Sequence, residues 1–186
     1  MKLGIFGGAF DPIHLGHLII AEEVREILQL DKILFIPTYN PPHKKCVASY
    51  EDRCNMVKLA ISDNSFFELC EIEKNTVTSW TIDTLKNLKK IYPHDELYLI
   101  IGTDQYQALS SWKSPEELKN YARLVVIPRP GTVEAPKANN QVVYLTTSLI
   151  DIASKKIRDD LKNNRSVKYK VTDNVLEYIK QNKLYN

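Results

Sequence analysis

Short apolar runs alternate with longer amphipathic segments from one end of the 186-residue chain to the other. Runs at 2–6, 32–36, 66–72, 96–101, 124–127 and 142–145 have the length of buried strands. The segments between them predict helices at 14–28, 51–62, 81–92, 104–109 with 115–120, 154–161 and 173–182. Segment 81–92 is the plainest of these. Ile82, Leu85, Leu88 and Ile91 fall at three-residue steps, with Lys86, Asn87, Lys89 and Lys90 elsewhere, so this helix is expected to pack on a sheet and do nothing more. Ser49, three residues ahead of Asp52, predicts an N-cap for the helix carrying Met56, Leu59 and Ala60. Strand and helix in strict alternation predict an α/β fold: a doubly wound, mostly parallel sheet with helices on both faces. We read 1–186 as a single domain with a C-terminal helical extension from about 151. Loops concentrate at 37–47 and 128–141.

Composition narrows the partners. With 25 Lys and Arg spread among 23 acids, the net charge is only +2, which lacks the basic stripe of a protein that follows a nucleic acid. Any bound anion is expected to be small and locally held. Cys46, Cys54 and Cys70 have no metal-binding or disulfide spacing. No signal-peptide pattern follows Met1 and no run approaches about 18 apolar residues, so a cytoplasmic location with no membrane partner is expected. Nothing in the composition indicates an oligomeric state.

The candidate chemistry lies at the start. The chain has six glycines, and Gly4, Gly7, Gly8 and Gly16 all fall within the first sixteen residues. Gly7-Gly8 alone would read as a tight turn. Followed by Phe10-Asp11-Pro12 and then His14-Leu-Gly-His17 at the start of a helix, the pair lets bare backbone approach a ligand where the helix N–H groups attract phosphate. His14 and His17, three residues apart, can face the same spot. The dinucleotide pattern G-x-G-x-x-G is absent.

GIFGGAFDPIHLGHL at 4–18 resembles the opening motif of the H-x-G-H nucleotidyltransferases, and among them the bacterial nicotinate-nucleotide adenylyltransferases. The similarity continues through Pro-Pro-His-Lys at 41–44, Ser-Trp-Thr-Ile-Asp-Thr-Leu at 79–85, Gly102-Thr-Asp104 with Trp112, and Ile-Ala-Ser-Lys-Lys-Ile-Arg at 152–158. The resemblance implies a Rossmann-like fold and transfer of AMP from ATP to nicotinate mononucleotide, giving deamido-NAD and pyrophosphate. It implies ATP contacts at Gly7, Gly8, Ala9, Phe10, His17, Gly102, Asp104, Ser154 and Arg158, with His14, His17 and Arg158 catalytic. His43, Lys44, Trp80, Thr81 and Trp112 would meet the mononucleotide, Trp112 stacking on its pyridine ring. Ala9 stands where many relatives have Ser or Thr, Trp80 replaces the usual Tyr, and Ala153 and Lys155 depart from the Ser-Ser-Thr turn.

Such a transfer needs no protein nucleophile, because the attacking phosphate is already negative at neutral pH. Placement and charge neutralisation carry it. Mg²⁺ is expected to ride mainly on the triphosphate of ATP, because it commonly keeps waters and takes few protein ligands. Pantetheine-phosphate adenylyltransferase, a cytidylyltransferase for a phospho-alcohol, and a non-catalytic nucleotide sensor stand as alternatives. Residue types leave acid and amide mononucleotides both open. The carboxylate pairs Glu22-Glu23, Asp95-Glu96, Glu116-Glu117 and Asp159-Asp160 read as solvated or capping charges, because neighbours in sequence on a helix point apart.

Overall fold

A computed structural model of the chain describes residues 1–42, 45–129, 131 and 142–186. In chain order the elements are β1 (Lys2–Gly8), α1 (Leu15–Leu28), β2 (Lys32–Pro37), α2 (Tyr50–Ala60), β3 (Phe67–Leu69), α3 (Thr81–Ile91), β4 (Glu96–Gly102), α4 (Thr103–Gln107), β5 (Arg123–Ile127), β6 (Val142–Tyr144), α5 (Ser154–Lys162) and α6 (Asp173–Gln181). Two 3₁₀ segments, Leu109–Ser111 and Pro115–Asn120, follow α4. The expected helix at 104–109 is thus one α-turn that tightens into 3₁₀ geometry.

The six strands lie in the order β3-β2-β1-β4-β5-β6, and every pair is parallel, where the alternation had predicted a mostly parallel sheet. Side chains on successive strand residues point to opposite faces. On one face Phe6, Ile33, Phe35, Tyr98, Ile100 and Val125 join Ile20 and Val24 of α1, Met56 and Val57 of α2, Ile157 of α5 and Val175 of α6. On the other, Leu3, Ile5, Leu34, Leu97, Leu99 and Val126 pack against Ile82, Leu85 and Leu88 of α3. Ser49 caps α2 as predicted, its hydroxyl accepting from the Asp52 N–H at 3.0 Å.

Register creates the central opening. β1 stays paired with β2 as far as Gly8↔Pro37, but with β4 only as far as Ile5↔Leu99. Beyond that point the carboxyl ends of β1 and β4 separate. This is where the strand order reverses, the place at which open α/β sheets receive their ligands.

Candidate functional site

Two clefts open at the separated strand ends. The larger, about 320 Å³, is lined by Gly7, Gly8 and Ala9, by Pro41 and Pro42, by Trp80, Thr81 and Thr84, and by Gln105, Trp112 and Lys113. A small one of about 30 Å³ lies beside His14, Gly16, His17, Arg129, Ser148 and Ile150. The first has the size and mixed lining of a small-molecule site. Helix α3 does more than pack, because its first turn walls this cleft.

The turn between β1 and α1 is held from behind through its carbonyl groups. Gly8 O accepts from the Thr38 N–H at 2.8 Å, Ala9 O from Arg53 Nη1 at 2.7 Å, Asp11 O from Arg158 Nη1 at 2.6 Å and Pro12 O from Ser154 Oγ at 2.9 Å. In a planar trans peptide the N–H points opposite to the C=O. Fixing the Gly8 and Ala9 carbonyls therefore turns the Ala9 and Phe10 N–H groups the other way, toward the crevice. Phe10 adopts φ 48°, a left-handed conformation that non-glycine residues hold only where the surroundings impose it. Its ring is buried against Phe6, His17 and Phe35, so only its backbone remains for a ligand.

The histidines occupy the start of α1, with rings stacked at 3.7 Å between centroids and 25° between planes. The His14 N–H donates to His17 Nδ1 at 3.2 Å. An accepting Nδ1 puts the ring proton on Nε2 and makes His17 a directed donor. His14 is buried, and its Nδ1 has no hydrogen-bond partner among the described residues. A Cβ at Gly16 would lie 3.1 Å from that nitrogen, so the glycine makes room beside the His14 ring.

Burial, assisted by the nearby Arg129 charge, lowers the His14 pKa from 6.5 to about 4. His14 is therefore neutral at physiological pH. The unfolded chain binds this proton below pH 6.5 and the folded chain only near pH 4, so His14 makes the fold lose stability as pH falls through that window. The loss amounts to about 3 kcal/mol by pH 4. Replacing His14 with Gln is expected to flatten this part of the pH dependence, read as the denaturant midpoint at intervals between pH 7 and pH 4; an unchanged slope would remove His14 as its source.

The structure gathers most of the expected residues. Trp80, Thr81 and Trp112 line the large cleft, whereas His43 and Lys44 lie outside the described residues. Ser154 and Arg158 meet the turn through its carbonyls, leaving further guanidinium donors on Arg158 beyond the one that Asp11 O takes. Asp104 does not line the large cleft; its carboxylate lies 3.7 Å from Arg129 Nε, toward the small one. A side chain at Gly102 would strike both the Asp104 carboxylate and Arg129.

Sequence reasoning missed several residues. Asp11 is buried, and its carboxylate accepts from the Val47 N–H at 2.7 Å, the Ala48 N–H at 3.1 Å and the Tyr185 hydroxyl at 2.8 Å. Arg53 is a buried cation that braces Ala9. Glu73 also lines the large cleft and accepts from Thr84 Oγ1 at 2.7 Å. Lys113, ion-paired with Asp83 at 2.8 Å, stands at the mouth beside Trp80. Arg129 alone had a readable signal, a cation just past the carboxyl end of a central strand.

Residues 5–175 match the cytidylyltransferase-like family model. The chain is 43% identical to a probable nicotinate-nucleotide adenylyltransferase of Thermus thermophilus over all of both chains. It is 38% identical to one of Geotalea daltonii, across all of this chain and 99% of the relative. Among solved structures, the nicotinic acid mononucleotide adenylyltransferase of Plasmodium falciparum complexed with NaAD superposes with a TM-score of 0.86 at 21% identity, covering 99% of this chain and 97% of that one. The same protein complexed with APC gives 0.83.

Proposed function

The chain belongs to the cytidylyltransferase-like family and, within it, to the nicotinate-nucleotide adenylyltransferases, and from that premise we propose how its two clefts divide the reaction. The enzyme transfers AMP from ATP to nicotinate mononucleotide, releasing pyrophosphate and forming deamido-NAD for NAD biosynthesis. The nicotinate mononucleotide occupies the large cleft, its ring against Trp112 and Trp80 and its carboxylate toward the first turn of α3. ATP approaches from the small cleft beside His14 and Arg129, so that its α-phosphate lies over the turn between them. The observation that carries this reading is the separation of β1 from β4 above the His14–His17 pair, with one cleft on each side.

In this arrangement the Ala9 and Phe10 N–H groups and His17 Nε2 converge on the α-phosphate, and the remaining donors of Arg158 face the leaving pyrophosphate. Fixed donors at developing charge lower the barrier without reorganising during reaction. Alignment of the attacking phosphate oxygen with the α-phosphorus supplies about 7–11 kcal/mol in favourable cases. The new P–O bond forms as the bond to the β-phosphate oxygen breaks, and the proton on the histidine stays where it is. Magnesium fits only as part of the nucleotide. The Asp11 carboxylate is already engaged by three donors, Asp104 faces Arg129, and no group of three metal-binding side chains converges among the described residues. Bound to the triphosphate, the ion would offset its charge. No described helix is long and apolar enough to cross a membrane, and we assign the enzyme to the cytoplasm.

The ratio of kcat/KM for nicotinate and nicotinamide mononucleotides tests the substrate. The acid is expected to be favoured roughly 10- to 100-fold, the scale of a hydrogen bond to a charged group. A ratio near one would overturn the acid preference. Pyrophosphate release with phosphopantetheine in place of either mononucleotide would reinstate the rival enzyme.

A further inference from the structure

The C-terminal segment grips the phosphate turn at four points. Ser154 Oγ donates to Pro12 O at 2.9 Å, Arg158 Nη1 to Asp11 O at 2.6 Å, and the Leu15 N–H to Lys170 O at 2.9 Å. The fourth contact is made by the penultimate residue, whose hydroxyl donates to Asp11 Oδ1 at 2.8 Å across 174 positions of sequence. Tyr185 is buried in the core on the α1 face, where the ring of a phenylalanine would serve equally well for packing. Its hydroxyl is what needs a separate reason. Burial and the Asp11 charge both raise its pKa, so it remains a donor throughout the working range.

The acceptor explains that reason. One side chain, Asp11, links the backbone of the phosphate turn, through its own carbonyl and Arg158, to the Val47 and Ala48 N–H groups of the loop that continues from the cleft-lining prolines. A carboxylate free to rotate would release both. We propose that Tyr185 is a positioning residue for adenylyl transfer, its hydroxyl locking the Asp11 carboxylate so that the phosphate turn and the 46–48 loop hold the geometry that receives ATP. This rests on the assignment of the turn to ATP made above.

Tyr185→Phe keeps the ring and deletes only the hydroxyl. Tyr178→Phe is the control, because Tyr178 on the same segment also donates to a carboxylate, that of Asp52 at 3.0 Å, while accepting from Asn55 Nδ2 at 3.0 Å, and both partners lie on α2 instead of in the turn. Y185F is expected to raise the KM for ATP, and the Kd for a non-hydrolysable ATP analogue, about five- to tenfold, less than the full worth of one hydrogen bond to a charged group because the hydroxyl acts on ATP through Asp11. Y178F is expected to stay within about twofold of wild type in both, although its hydroxyl makes two hydrogen bonds where that of Tyr185 makes the one to Asp11, so that Y178F loses at least as much thermal stability. By reciprocity, the analogue should also slow amide exchange at 183–186 in the unaltered protein, a measurement independent of whether either variant folds. Y185F with the ATP constants of Y178F, or exchange at 183–186 indifferent to the analogue, would overturn the positioning role. An unaltered protein that binds the analogue but forms no deamido-NAD would instead count against the assigned reaction.

Discussion

Replacing His17 with Ala is expected to lower kcat by about 10²–10³ while the chain folds as before, the effect of deleting one donor that acts mainly in the transition state. The direction follows from the ring's fixed tautomer. His17 Nδ1 accepts from the His14 N–H, so the proton on Nε2 cannot be withdrawn toward the backbone and remains available to a phosphate oxygen. Folding should survive because the ring is partly exposed and its neighbours Phe6 and Phe10 keep their own core contacts. Rapid-quench measurement of a single turnover, with thermal unfolding alongside, separates the chemical step from product release and from damage to the fold. An H17A enzyme that keeps the wild-type rate of that step would remove the residue from the chemistry and leave the backbone N–H groups as the principal donors. The neighbouring histidine should behave differently. His14 is buried and neutral, so its loss is expected to act mainly through packing and the ring stack.

The parts of this site that the sequence made legible are those whose cause is local. Glycines crowded into one strand end, and two histidines a helical turn apart, announce themselves within a few residues. Asp11 was visible only as the middle of Phe-Asp-Pro, since its partners Val47, Ala48 and Tyr185 are 36, 37 and 174 positions away. Arg53 looked like any polar residue of an amphipathic helix. Nothing in its own segment indicates that it is buried against the carbonyl of Ala9, 44 positions earlier. Strand positions were readable for the same reason of locality, but extents were not. The apolar run 66–72 forms strand only at Phe67–Leu69, because β3 is an edge strand paired on one side to β2. Ile91 keeps the helical spacing of α3 yet is 60% exposed, while Leu88 three residues earlier is fully buried.

Gly7→Val should give a protein at least as stable as the wild type with kcat/KM reduced about 10²-fold, the cost of displacing a bound reactant by about 1 Å. Gly7 is paired in the sheet opposite Ile36, and its φ lies outside the left-handed region, so a β-branched residue suits its backbone. Glycine in a strand interior costs roughly 0.5–1 kcal/mol, which valine would recover. A Cβ built on Gly7 meets no protein atom within 4 Å, so nothing in the fold excludes a side chain there. The other glycines of the strand are different. A Cβ at Gly4 would run into the Ile33 side chain, and one at Gly8 would press on the Phe10 ring at 3.2 Å, so substitutions there confound packing with function. Gly7 opens instead onto the large cleft, and the object a side chain would displace is the ligand itself. Steady-state kinetics with ATP and nicotinate mononucleotide varied in turn, on a G7V protein whose denaturant midpoint is known, tests this directly. A stable G7V enzyme with unimpaired kcat/KM for both substrates would mean that no ligand comes close to that backbone, and the bound phosphates would have to be moved away from β1 toward Arg129 and the start of α5.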